Sequence, residues 1–206
     1  MKKHLALLGA VLATGVLNVP AHAADPFYVS GNVGTSAFND IDVIVHTTRL
    51  PHGTITTGSG INLMGAIGAQ FDSFRLEAEL GYQRNNAQKI KSSHGTFNLS
   101  GNFSITSYMA NAYHDFNAGA IKPYITAGIG LADVAVHNVP DPPVVLSETH
   151  SVLGYQFGAG AAVPLAKNVL LDLRYRYFGT DTVSLSNNGD IKVPGNSLLA
   201  GLRINL

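Results

Sequence analysis

The stretch Phe74 to Arg84 sets Phe74, Leu76, Ala78, Leu80 and Tyr82 against Arg75, Glu77 and Glu79. Alternation at period two is the signature of a β-strand, because successive side chains point to opposite faces. The open question is which face meets water. A soluble sheet turns its apolar face inward, whereas a membrane barrel turns it outward. Seven further segments read as strands: Phe27 to Phe38, Ile61 to Phe71, Phe103 to Phe116, Pro123 to Val136, Val152 to Val163, Val169 to Phe178 and Asn196 to Leu206. Each is close to the roughly 9–11 residues that a tilted strand needs to cross a bilayer.

The links between these segments sort by length. "DS", "NAGAIK" and "PLAKN" are short, while residues 39–60, 85–102, 137–151 and 179–195 are long. Short and long links alternate strictly. That pattern predicts an all-β fold: an eight-stranded antiparallel up-and-down transmembrane β-barrel with short periplasmic turns and four long extracellular loops. An even strand number puts both ends on the periplasmic side.

The faces agree with this reading. In the seventh strand Val169, Leu171, Leu173, Tyr175 and Tyr177 oppose Asp172, Arg174 and Arg176. In the eighth, Leu198, Ala200, Leu202, Ile204 and Leu206 oppose Gly201, Arg203 and Asn205. The fourth strand is irregular. Tyr108, Ala110 and Ala112 alternate with Met109, Asn111 and Tyr113, but its first half reads as out of phase or bulged. Glycines collect on the polar faces, among them Gly68, Gly128, Gly158, Gly160 and Gly201, which suits a narrow interior. Phe27, Phe71, Phe74 and Phe116 lie near the short turns, and Tyr82, Tyr155, Tyr175 and Tyr177 lie farther up, resembling two interfacial girdles without tryptophan.

Composition supports a chain that buries apolar residues in something other than its own core. Charged residues make up 13%, against roughly a quarter in soluble domains. No segment after the first 23 residues approaches the roughly 20 consecutive apolar residues of a membrane helix. Thirteen basic side chains balance thirteen acidic ones, which gives no electrostatic reason for a nucleic-acid partner. The N-terminus reads as a secretory signal peptide, residues 1–23. Lys2 and Lys3 form its basic end, Leu5 to Leu17 is an apolar run too short to span a bilayer, and Ala21-His22-Ala23 is a cleavage pattern. Residues 24–206 then form the barrel domain. With no cysteine, the chain has neither disulfides nor the acylated residue of a lipoprotein.

"PYITAGIGLADV", "YQFGAGAAVPLAKNVLLDLRYRYF" and "LLAGLRINL" resemble the small outer-membrane β-barrel proteins of the opacity and surface-antigen type, the porin family in the broad sense. They are more distantly similar to the eight-stranded membrane domain of OmpA. The resemblance covers Phe27 to Leu206. It implies a Gram-negative outer membrane as the location, outer-membrane lipids as surroundings and insertion by the barrel-assembly machinery. The family usually ends in Phe, whereas this chain ends in Leu206.

The chemistry-bearing residues fall into three groups. Arg75, Glu77 and Glu79 of the third strand face Asp172, Arg174 and Arg176 of the seventh across a closed barrel, with Arg203 on the eighth. Buried charges are costly unless paired, so the reading is a lumen charge network that plugs the barrel. A narrow, porin-like ion path is the alternative. The loop histidines His46, His52, His94, His137 and His150 have no metal-site spacing. The reading is therefore no metal and no cofactor, with a haem- or metal-binding surface protein as the alternative. The neighbours His114-Asp115 and His150-Ser151 point to opposite faces of a strand and form no catalytic dyad, so no catalytic residue and no enzyme is expected. What remains is the loops. Pro140, Pro142 and Pro143 are expected to prevent strand pairing, and Asn188-Gly189 to turn a hairpin. Function on rigid scaffolds concentrates in loops, so a structural and surface-recognition, adhesin-like role of a monomer is expected, with a host or surface ligand.

Overall fold

The computed structural model describes residues 27–38, 41–45, 53–92, 95–98, 101–141, 144–184 and 189–206. The leader segment 1–23, the tip of the first loop with His46 and His52, His94, Pro142, Pro143 and Asn188 lie outside them.

Eight long strands carry the alternation. They are β1 Phe27–Phe38, β2 Gly60–Phe71, β3 Phe74–Ser92, β4 Asn102–Asp115, β5 Lys122–Asp141, β6 Val144–Ala166, β7 Val169–Thr180 and β8 Gly195–Asn205. Every strand pairs antiparallel with its neighbour in sequence. β1 also pairs with β8, from Tyr28↔Asn205 to Phe38↔Gly195. That last pairing closes the sheet into an up-and-down barrel and removes its edges. The β2–β3 hairpin turns through Asp72 and Ser73 alone. Asp72 sits at φ 51°, a left-handed conformation that Asp tolerates in tight hairpins.

The polarity of the wall is reversed relative to a soluble protein. Ile67 and Leu198 point outward and are 64% and 63% exposed, whereas Arg75 and Arg203 point inward at 2% each. On β3 the outward row runs Phe74, Leu76, Ala78, Leu80, Tyr82 and then reaches Arg84. Eight steps of about 3.3 Å at a tilt of about 40° give an apolar belt about 20 Å tall. Exposed aromatics bound it, with Phe27, Phe74 and Phe116 below and Tyr82, Tyr155 and Tyr175 above. Three strands outrun the belt: β3, β5 and β6 have 19, 20 and 23 residues and project beyond the membrane.

Inward glycines have a specific partner as well as a narrow space. Tyr28 is in register with Gly68, and a β-carbon added at Gly68 would lie 2.4 Å from the Tyr28 ring. Tyr124 covers Gly160 in the same way at 2.5 Å. An aromatic ring laid over a glycine on the adjacent strand fills the missing side chain and pins the register. Gly68→Val therefore displaces Tyr28 from the wall and from Glu77, and should cost about 1–3 kcal/mol as overpacking. Gly65→Ala, where an added β-carbon meets nothing within 4 Å, should leave stability unchanged, and urea titration of both variants in lipid vesicles checks the contrast.

Two expectations are corrected. The first half of β4 is neither bulged nor out of phase. Its register with β3 runs unbroken from Asn86↔Asn102 to Phe74↔His114. Phe103 and Ile105 lie on the same inward face as Met109 and Asn111, and both are buried. The pattern looked broken because the inward face of β4 turns apolar at its outer end while Ser104 and Thr106 point outward at the membrane boundary. Of the third loop's prolines, Pro140, the one within the described residues, also fails to prevent pairing. Pro140 pairs with Val145 and Asp141 with Val144, after an irregularity between Val136 and Val139. A projecting two-stranded ribbon has two open edges, where a residue without an N–H is tolerated.

Beyond the membrane, segments of three loops join in one sheet. Ile41–Val45 pairs with Gly53–Thr57 and with Gly189–Ile191. Gly53–Thr57 continues onto the upper part of β3 through Thr54↔Lys91. Gly95–Asn98 adds to the other side of β3, and Val183–Ser184 pairs with Gly189–Ile191.

Candidate functional site

The lumen is the densest concentration of chemistry-bearing groups. At its periplasmic end Arg75 donates from Nε and Nη2 to the two oxygens of Asp115, both at 2.8 Å. Its guanidinium lies 4.1 Å from the centre of the Tyr113 ring, 4.9 Å from Tyr124 and 5.8 Å from Tyr28. A fork-shaped cation between aromatic faces is held by geometry as well as by charge. Above it, Glu77 accepts from Tyr113 at 2.6 Å and from Tyr28 at 3.0 Å. The Tyr113 hydroxyl in turn accepts from Arg174 at 2.6 Å.

Arg174 crosses the barrel to Glu79, with Nη2 3.1 Å from Oε2. This contact is ionic and lacks hydrogen-bond alignment, since Glu79 Oε2 has no hydrogen-bond partner. The other Glu79 oxygen accepts from Gln156 at 3.1 Å, and Gln156 accepts from Arg176 at 2.5 Å. Tyr124 donates to Asp172. Arg203 lies 5.7 Å from the Tyr28 ring centre, and its Nε and Nη1 have no hydrogen-bond partner among the described residues.

Arg75, Glu77, Glu79, Asp172, Arg174, Arg176 and Arg203 are all buried on the inward face. The direct ion pairing among those seven is Arg174 with Glu79. Arg75 turns to Asp115 instead, a residue the sequence reading did not place in the lumen. Asp115 brings the carboxylates to four, with Glu77, Glu79 and Asp172, against the four arginines. The phase of Met109, Asn111 and Tyr113, continued by two residues, points Asp115 inward, and that signal was available. The tyrosines and Gln156 were missed for another reason: neutral groups carry no charge signature, yet they supply most of the hydrogen bonds to the carboxylates.

Little space is left among these groups. The cavity lined by Arg75, Glu77, Tyr113, Asp172, Arg174 and Arg203 measures about 10 Å³, room for about one water molecule. Toward the outer end the lumen divides: on the β1, β2, β3 and β8 side Ser36, Asn62, Gln83, Asn85 and Ser197 are buried and hydrogen-bonded to one another, and the opposite side turns apolar. Phe103, Ile105, Ala132, Val134 and Phe178 are buried there, with Val183 and Val193 of the fourth loop. The Arg176 guanidinium rests 4.5 Å from the Phe178 ring at the boundary between the two layers.

An antiparallel eight-stranded barrel, apolar outside and charged within, is the architecture of an outer-membrane protein. The family model for the outer membrane protein beta-barrel domain matches residues 9–203. The chain belongs to that family. Its location is the outer membrane. The barrel is 27% identical over 220 residues to the outer membrane protein PagN of Salmonella typhimurium, with 88% of this chain and 90% of PagN covered. Among solved structures it is similar to Neisserial surface protein A, with a TM-score of 0.58 and 20% identity over 90% of this chain and all of that one. It is also similar to OprG of Pseudomonas aeruginosa, with a TM-score of 0.61 and 14% identity over 89% and 96% of the two chains.

The remaining candidate residues of the barrel lie apart from this network. His114 stacks between Phe74 and Phe116, with ring centres 4.8 Å away on each side, while its neighbour Asp115 holds Arg75. The Ser151 hydroxyl donates to Asp133 on the outer wall. His137 Nε2 lies 3.3 Å from Ser104 Oγ.

Proposed function

We propose that the protein is a sealed, non-enzymatic barrel that acts as a monomeric scaffold for surface recognition through its outer loops. The observation that carries this reading is the filled lumen. Buried charges occupy its periplasmic half, apolar side chains and the hydrogen-bonded cluster of Ser36, Asn62, Gln83, Asn85 and Ser197 fill its outer end, and the cavity between the charges is about 10 Å³. An eight-stranded barrel has an interior just wide enough for side chains. A barrel that transports nothing leaves its loops to act. The shared sheet of loop segments supports that role, because cross-pairing holds three loops in one fixed arrangement. Rigid presentation lowers the ordering cost of binding.

Adhesion tests the recognition role. A deletion strain should bind host cells or surfaces several-fold less than its parent. The wild-type chain should restore binding, and a chain whose residues 46–52 and 185–188 are replaced by Gly-Ser should not, although it keeps heat-modifiable gel mobility. Equal adhesion by all four strains would rule the role out. The leader carries a separate expectation: the mature protein isolated from membranes should have the intact mass of a chain starting at Ala24.

A further inference from the structure

The lipid-facing wall is not uniform. Gly31 on β1 and Gly65 on β2 are paired in register and both point outward. A β-carbon built at either meets nothing within 4 Å. They floor a groove of about 890 Å³ walled by Val29, Val33, Leu63, Leu80 and Leu202, which ends at Tyr82 and Thr106. The next outward residue on β3 is Arg84, which is exposed and makes no hydrogen bond or ion pair among the described residues. Ser104 is its register partner, and Asn86 pairs with Asn102 one row above. His137 closes the cluster through Ser104. Asp133 lies two strands from Arg84 and already accepts the Ser151 hydroxyl.

We propose that this groove and cluster bind one phosphorylated glycolipid of the outer leaflet. An acyl chain lies over Gly31 and Gly65, a phosphate meets Arg84, and the sugar hydroxyls meet Asn86 and Asn102. The groove faces hydrocarbon, so its natural filling is an acyl chain. Arg84 stands on the loop side of the aromatic girdle, at headgroup depth, where a guanidinium without a partner among the described residues complements a phosphate. The amides of Asn86 and Asn102 beside it suit a sugar, whereas a simple phospholipid would use the charge alone. A second copy of the barrel fits less well, because two convex walls meet along a line and leave the groove unfilled.

Native mass spectrometry of the refolded full-length protein tests the assignment, with a lipid A-type glycolipid, its dephosphorylated form and phosphatidylglycerol as separate probes. The wild-type chain should retain one phosphorylated glycolipid. Gly65→Leu, whose β-carbon meets nothing within 4 Å and whose side chain occupies the groove, and Arg84→Gln should each weaken retention about tenfold, the scale of one charge-assisted hydrogen bond. Loss of the phosphate should weaken it equally, and Arg84→Lys should recover part of it. Heat-modifiable mobility verifies that each variant is folded. Equal retention by wild type and both loss variants would overturn the site. Phosphatidylglycerol held as tightly as the glycolipid would overturn the sugar assignment. A dimer mass abolished by Gly65→Leu would assign the groove to a second copy instead.

Discussion

Leu80→Arg is expected to cost about 2–4 kcal/mol of folding free energy in a lipid bilayer, the range for a basic side chain near the midplane of a barrel wall. Leu80 is 54% exposed on the outer wall and lies two residues from Ala78, the centre of the outward row of β3. An arginine there has no partner and no water, only lipid. The cost should appear as incomplete insertion into vesicles and as loss of the heat-modified band on unboiled gels. Leu76→Arg should behave alike. Glu77→Gln, one residue from Leu76 in sequence but on the opposite face, should insert normally, because a glutamine still accepts a hydrogen bond from Tyr113 or Tyr28. If Glu77→Gln blocked insertion and Leu80→Arg did not, the facing of the whole wall would be inverted.

Inside the barrel the largest effect is expected at the pair that crosses the lumen. Glu79 leaves Arg174 without its carboxylate when replaced by alanine, and Arg174→Ala leaves Glu79 equally uncompensated. Each single change should cost about 3–5 kcal/mol, because a buried unpaired charge has neither water nor a partner. Replacing both at once, Glu79→Leu with Arg174→Met, removes the two charges together and fills similar volume. That double variant should be more stable than either single variant. Urea unfolding in vesicles, run as a double-mutant cycle, measures the coupling. Additive costs would mean that the two side chains do not depend on each other. Arg75 and Asp115 offer a second cycle nearer the periplasmic end, where three aromatic rings hold the arginine in addition to its carboxylate.

These effects show what the sequence carries and what it does not. Strand number, facing and the alternation of short and long links were legible because each strand is selected at period two by a membrane outside and a polar lumen inside. β4 was the exception, and its physics explains it. Where the lumen beside β4 becomes apolar, Phe103 and Ile105 turn inward while Ser104 and Thr106 reach the headgroup region, so the polarity contrast between the faces reverses without any change of phase. Strand phase also points the seven charged residues toward the lumen. Their partners depend on register around the barrel, which no single strand encodes. Arg75 therefore meets Asp115 on the adjacent strand rather than a charge across the lumen. Arg176 meets the neutral Gln156 rather than a carboxylate. The cross-pairing of the first and fourth loops was invisible for a related reason: Val43↔Ile191 joins segments almost 150 positions apart.

The closed lumen is the claim on which the scaffold reading stands, and planar-bilayer recording of the refolded protein tests it most directly. With buried charges filling one half, apolar side chains and hydrogen-bonded polar groups filling the other and space for about one water molecule between the charged groups, the account predicts no stable unitary conductance. Steady channels of uniform size, kept after the boiled and unboiled forms are separated and altered by Arg174→Ala, would contradict it.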